Sequence, residues 1–241
     1  FGAEPIEMAA PEITALQARL SAADLPYADL FETAFGEPTI TLTKITSALA
    51  AFQMTLVSYR SPYDHFLAGN KKALNANEQA GLALFESPRL GCRRCHGGVN
   101  FNQTLSAQGQ VLPAAFHNTG LYNTATGYPE ADLGLYEVTF DLQDNGKFKA
   151  PSLRNITLTA PYMHDGSMAY LAQVIDHYAR GGSLNLQGVK GDGKLNPAKS
   201  ELISGFTLTE EEKNQLIAFL ATLTDVEFTQ NPNFSAPLMH H

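Results

Sequence analysis

Apolar residues recur at helical spacing in five stretches of the chain, and between those stretches the period is lost. Residues 11–22 place Ile13, Leu16 and Leu20 on one face, and residues 41–59 repeat the pattern with Ile45, Leu49, Phe52 and Leu56. A third helix is predicted over residues 75–85, ending at Glu86-Ser87-Pro88, where proline forbids continuation. Ser167 is placed to cap a fourth, which carries Met168, Leu171, Val174, Ile175 and Tyr178 and stops at Gly181-Gly182. The last opens with the capping box Thr209-Glu210-Glu211-Glu212 and presents Leu216, Ile217, Phe219, Leu220 and Leu223. From residue 100 to 150, Gly, Asn, Thr and Pro punctuate short apolar runs. There, Tyr136-Glu137-Val138-Thr139-Phe140 and Lys147-Phe148-Lys149, split by Asp144-Asn145-Gly146, predict one β-hairpin. Residues 188–206 form a second loop rich in Gly, Lys and Asn, and after Asp225 the tail is polar and proline-broken. The pattern is mainly α with long loops and no internal repeat, which raises the question of what fills the space between so few helices.

Composition narrows the class. The 241 residues, 44% hydrophobic, suffice for one large domain or two small ones with real cores, which excludes disordered, collagen-like and disulfide-scaffold chains. A formal net charge of −8 argues against a nucleic-acid groove or an anionic membrane surface as partner. No apolar run approaches the roughly 20 residues of a spanning helix. Tryptophan is absent, whereas Phe (14) and Tyr (9) are plentiful. The start at Phe1 is expected to reflect processing or truncation, with an upstream segment or domain missing. The closing Met239-His240-His241 reads as the stub of a purification tag and carries no chemical weight.

The only two cysteines stand in Cys92-Arg93-Arg94-Cys95-His96, and C-x-x-C-H is the attachment sequence of a c-type haem. Two thiols three apart on a turn add to the two vinyl groups of one porphyrin, and the histidine after the second lies under the ring to ligate iron. A thioredoxin-type redox pair needs a βαβ context, zinc needs further ligands, and a plain disulfide leaves His96 unexplained. Haem c is therefore the expected cofactor, and its covalent attachment places the chain outside the cytoplasm, in the periplasm or on the cell surface of a bacterium. For the sixth iron position the downstream side chains offer His117, Met163, His164, Met168, His177 and Tyr178, and residue chemistry alone leaves them open.

Two further segments carry a specific resemblance. Ala150-Pro151-Ser152-Leu153-Arg154-Asn155 and Leu158-Thr159-Ala160-Pro161-Tyr162-Met163-His164-Asp165-Gly166 resemble the C-terminal haem domain of bacterial diheme cytochrome c peroxidases and their MauG-type relatives. The similarity extends to Pro5-Ile6-Glu7-Met8, to the helix around Ala48-Leu49-Ala50-Ala51-Phe52, and to Gly91, Gly98, Asn100 and Phe101 around the cysteine motif. It implies a mainly α, cytochrome-c-like haem domain with long loops and a small β-hairpin, the second half of a diheme peroxidase-type enzyme. Residues 1–70 would then be a helical segment contributing to the missing N-terminal peroxidatic haem domain, and residues 71–241 the C-terminal haem domain.

The resemblance implies roles residue by residue. Cys92 and Cys95 become the thioether partners and His96 the proximal ligand. Thr159 and Pro161 match positions whose carbonyls bind a calcium ion between the haems, an all-oxygen set that suits calcium. Glu7 matches the distal acid–base glutamate over the peroxide-binding haem, the alternative being a solvated carboxylate near the terminus. Arg154 is either a haem-propionate partner or an ordinary ion pair. Tyr178 falls where the peroxidases fed by a small cytochrome have Met and MauG-type enzymes have Tyr; the alternative is a core aromatic sharing a face with Leu171, Val174 and Ile175. The runs from His177 to Gly182, Gly191 to Pro197 and Gly205 to Thr209 are most similar to the methanobactin-operon diheme enzymes (MbnH type). The implied activity is a peroxide-dependent oxidoreductase with two haems c, one of them on the missing half. It forms a high-valent diheme state that oxidises a residue of a partner protein, a copper-binding protein with an oxidisable Trp. The alternatives are a cytochrome c peroxidase that reduces hydrogen peroxide with electrons from a small cytochrome, and a c-type electron carrier.

Overall fold

The computed structural model describes residues 13–23, 25–104, 110–112, 115–129, 132–185 and 191–235; Glu7 lies outside them. The chain divides into two compact units, Phe1–Val57 and Ser58–His241.

The first unit is helical. It contains α1 (Ile13–Ser21), α2 (Tyr27–Phe35) and α3 (Leu42–Thr55). Gly36 closes α2 in the left-handed region, and its N–H returns to the Glu32 carbonyl at 2.8 Å. Thr41 caps α3 by accepting from the Lys44 amide. Phe31 is buried against Phe35, but α3 buries no residue, and Leu49, Phe52 and Met54 are exposed.

The second unit is built on two long helices, α5 (Ala76–Glu86) and α8 (Glu210–Ala221), preceded by the short α4 (Pro62–Leu67). Asn75 with Glu78 and Thr209 with Glu212 form reciprocal capping boxes that set where α5 and α8 start. The two helices meet at Gly81, where a Cβ would collide with the Gln215 carbonyl and come within 2.8 Å of the Phe219 Cβ. No other residue allows this approach. Phe85, Phe101, Ile175, Leu216, Phe219, Leu220 and Leu223 form the core around that crossing. Tyr63 of α4 closes it from one side, 5.4 Å from Phe101 and 5.6 Å from Phe219 between ring centroids. Residues 58–60 are held by Asp225, whose buried carboxylate accepts from the Tyr59 and Arg60 amides at 2.9 Å and from Ser58 Oγ. The second unit begins at Ser58 because Tyr63 and residues 58–60 are tied to its core.

The long middle segment is mostly loop, as its composition predicts, but the hairpin is built differently. Tyr136–Thr139 is a helical turn, α6, closed by Phe140 at φ 57, whose N–H returns to the Tyr136 carbonyl at 2.8 Å. Asp141 and Asp144 then satisfy the Gln143 amide, Thr139 Oγ and Lys147 Nζ locally, so no ladder forms with residues 147–149. Strand β2 (Phe148–Lys149) pairs antiparallel with β1 (Phe116–His117), in register His117 to Phe148. The short hairpin lies elsewhere, between β3 (Leu184–Asn185) and β4 (Gly191–Asp192). The fourth predicted helix is α7 (Leu171–Arg180), with Tyr170 in place of Ser167 at its N-cap, and Gly181 at φ 83 ends it as expected. The cap shifts because the Gln173 side chain accepts from the Ala169 and Tyr170 amides, while the Ser167 amide donates to Asp165.

Candidate functional site: a haem-attachment centre

The cysteines lie directly after α5, on a 3-10 turn spanning Cys92–Arg94 that Gly91 enters at φ 68. The amides of Cys95 and His96 both return to the Cys92 carbonyl, at 3.3 and 2.9 Å, so one turn presents two thiols and an imidazole. Both thiols are free and half-buried. Burial pushes the Cys92 thiol up to about 11 and raises Cys95 as well. A redox-active pair needs the opposite, a thiol readily ionised near neutral pH. Among the described residues no cluster of three or more His, Cys, Asp or Glu forms that could hold a metal ion. Neutral, buried thiols on one turn suit addition to vinyl groups.

His96 is oriented from behind. Its Nδ1 lies 3.0 Å from the Phe101 carbonyl, and the Pro151 carbonyl also faces the ring. Burial holds the imidazole below its ordinary range despite those two acceptors, leaving the neutral form that ligates iron. Gly97 must follow, since a Cβ there would stand 2.8 Å from the Arg93 carbonyl.

Helix α7 brings Tyr178 to the same place. The phenol is half-buried, and its ionisation is pushed well above the usual range by burial and then by the nearby thiols of Cys95 and Cys92. No hydrogen-bond partner for its hydroxyl is found among the described residues. His177, one residue earlier, stacks edge-on against its ring at 5.1 Å. Both His177 nitrogens are engaged, Nδ1 with Ser183 Oγ and Nε2 with the Thr119 carbonyl, each at 2.9 Å, so neither is free for iron. His164 is spent on Asp132 at 2.6 Å and on a 3.6 Å stack over Phe148. Met163 and Met168 pack against the separate cluster of Leu121, Tyr122 and Tyr128. Two thiols, one neutral imidazole and one phenol with no hydrogen-bond partner among the described residues are a donor set that fits a covalently held haem.

Arg154 lies beside the motif, where its donors are taken up within the protein. It forms a bidentate pair with Asp64 at 2.9 and 3.0 Å and donates twice to the Val99 carbonyl. Four of its five N–H groups are thereby committed, which favours the ion-pair alternative. Asp64 was missed by sequence reasoning, although the pattern Ser61-Pro62-Tyr63-Asp64 announces a capped helix. Thr159 and Pro161 are exposed, with Thr159 Oγ turned back to the Ile156 carbonyl and away from any ligand role of its own.

Comparison with known proteins agrees with this geometry. A sequence profile of the di-haem cytochrome c peroxidases matches residues 2–72. The chain is 35% identical over 231 residues to the cytochrome-c peroxidase IdrP1 of Pseudomonas sp. (strain SCT), a match covering 89% of this chain and 55% of that protein. It is 34% identical over 198 residues to the methylamine utilization protein MauG of Methylorubrum extorquens, covering 82% and 49%. The chain spans about half the length of the curated relatives it matches. Among solved structures, a MauG-like protein associated with microbial copper homeostasis superposes with a TM-score of 0.89 at 44% identity, covering 98% of this chain and 69% of that one. The diheme peroxidase BthA from Burkholderia thailandensis, at 21% identity and a TM-score of 0.67, shares the fold. The haem-attachment motif, the two-helix crossing behind it and these similarities together make the chain a member of the di-haem cytochrome c peroxidase and MauG family.

Proposed function

We propose that this chain is the haem-bearing part of a peroxide-dependent di-haem oxidoreductase of the MauG type, which oxidises a residue of a partner protein. The observation that carries the reading is Tyr178, a phenol with no hydrogen-bond partner among the described residues, in the surroundings of Cys92 and Cys95. Left to itself this hydroxyl stays protonated, so only a strong positive charge would draw it into the anionic form. Haem, when bound, would supply the redox chemistry, a ferric iron and storage for an oxidising equivalent taken from hydrogen peroxide, and Tyr178 would be the oxygen donor available to it. Cys92 and Cys95 hold the group, the Phe101 and Pro151 carbonyls orient His96 beneath it, and the engaged nitrogens of His177 keep a competing ligand away. A simple electron carrier has no use for an oxygen ligand of this kind.

The rest of the reading extends to the complete protein. A second haem c on a half outside this chain receives the peroxide, and Glu7 serves there as acid and base. The carbonyls of Thr159 and Pro161 contribute to a calcium site between the halves. The substrate is a partner protein of copper handling with an oxidisable Trp, in keeping with the copper-homeostasis association of the 44% identical MauG-like structure. The enzyme works in the periplasm or at the cell surface.

Absorption spectra of the full-length, haem-loaded protein, taken before and after peroxide, test the reading. Tyr178→Phe is expected to change the ferric spectrum and abolish partner oxidation. Tyr178→His is expected to keep a six-coordinate haem and a folded protein but lose that oxidation, because imidazole does not stabilise high oxidation states as an anionic oxygen does. A silent Tyr178→Phe, combined with loss of the sixth ligand in Met163→Leu or Met168→Leu, would make this an electron-transfer haem fed by a small cytochrome.

A further inference from the structure

The haem reading of Cys92, Cys95 and His96 leaves one polar group unused, and the inference below rests on that reading. His117 is half-buried, yet its Nε2 is closed off from solvent and has no hydrogen-bond partner among the described residues. A buried nitrogen left without a partner is destabilising, so a bound group that supplies one is favoured there. Its other nitrogen, Nδ1, lies 3.3 Å from Ser200 Oγ. When that hydroxyl donates to Nδ1, the ring proton stands on Nε2, and the orphan is a donor in search of an acceptor.

The fold fixes where that donor stands. The β1–β2 register sets His117 opposite Phe148, and two residues beyond Phe148 the chain reaches Ala150 and then Pro151, whose carbonyl faces the His96 ring. His117 is close enough for its charge to act on His96. The cation acting on His117 is Lys147, itself paired with Asp144 at 3.0 Å. Burial first, and Lys147 second, hold the ring below its ordinary range, so at neutral pH it carries a single proton. A neutral donor beside the proximal ligand matches a carboxylate acceptor, and the carboxylates a haem brings are its propionates. Arg154, the side chain first considered for that task, is committed to Asp64 and Val99.

We propose that His117 Nε2 donates a hydrogen bond to a propionate of the haem held by Cys92, Cys95 and His96, making it a positioning residue for that haem. The donor offsets part of the propionate charge, which otherwise favours ferric over ferrous iron.

The test uses the full-length, haem-loaded protein, with His117→Leu and His117→Gln. Three readouts are taken: the midpoint potential of this haem, its ferric absorption spectrum, and the propionate bending band in resonance Raman. His117→Leu is expected to move the ferric–ferrous equilibrium about tenfold toward ferric, roughly 59 mV for one electron, and to shift the propionate band. The amide of His117→Gln is expected to restore most of both. The absorption spectrum should stay that of wild type in each variant. An unchanged potential and band in His117→Leu would mean that solvent satisfies Nε2, and an altered axial-ligand spectrum would mean that His117 binds iron; either overturns the proposal. Should His117→Leu fail to fold, deuterium exchange of the wild-type protein decides, since a propionate bonded to an N–H shifts its band and one without such a bond does not. Wild-type protein without haem would instead sink the haem reading itself.

Discussion

Replacing Arg154 with Met separates a structural ion pair from a cofactor contact, because the two roles fail differently. Methionine keeps much of the volume and removes every donor. The wild-type side chain makes two bonds to the Asp64 carboxylate, at 2.9 and 3.0 Å, and two to the Val99 carbonyl, at 3.1 and 2.9 Å. The side chains of Arg154 and Asp64 are only 9% and 15% exposed. Removing one partner of a pair this buried costs about 3–5 kcal/mol, and the residual exposure favours the lower end, about 3 kcal/mol. In a domain of this size that lowers the melting temperature by roughly 6–12 °C. Asp64→Asn should destabilise as well, and the double variant should be little worse than the poorer single one, a coupling of about 2 kcal/mol. Burial alone would raise the Asp64 carboxyl, but hydrogen bonds from Arg154 and Ser61 bring it below the ordinary range. With the folded value depressed, the pair stabilises above the usual carboxylate pKa of about 4 and loses its effect as pH falls below it, so the coupling should shrink near pH 3. Urea titrations of the four proteins at pH 7 and pH 3 supply the cycle. If the single effects simply add, within about 0.5 kcal/mol, and Arg154→Met instead shifts the haem potential, the guanidinium serves the haem and the ion-pair argument fails.

Other outcomes follow from the same geometry. Gly81→Ala drives a methyl group into the Gln215 carbonyl where α5 and α8 cross; a loss of about 1–3 kcal/mol is expected from overpacking, and a thermal melt indistinguishable from wild type would contradict it. Pyridine haemochrome analysis of the complete enzyme should find two haems, one of them lost with Cys92→Ala and Cys95→Ala; a single haem in an active preparation would end the di-haem reading. If the Thr159 and Pro161 carbonyls help to hold calcium, exhaustive chelation should change the spectra and reduce peroxide-dependent activity, and unaltered spectra and activity would remove the assignment.

Local chemistry wrote the helices and the haem-attachment turn into the sequence. Capping boxes at Asn75 and Thr209, the glycine stop at Gly181 and the C-x-x-C-H spacing act within a few residues, so they could be read without any partner. Tyr178 is not legible in that way: residue chemistry leaves six candidates open, only the family resemblance singles it out, and the fold brings it near the cysteines. Hairpin position, unit boundary and the fate of charged groups depend on residues far apart in the chain. Tyr136 to Phe140 has strand-like composition, yet Phe140 and Asp141 satisfy the backbone locally and β2 finds its partner in Phe116–His117, some thirty residues upstream. Residues 58–70 join the second unit because Asp225 gathers the Tyr59 and Arg60 amides from more than 160 residues away in the chain. Arg154 meets Asp64 across 90 residues, and His117 is left with a bare nitrogen only once β1 has docked on β2. A residue type announces what bonds a side chain can make, and tertiary packing alone decides which of those bonds are already taken when a cofactor arrives.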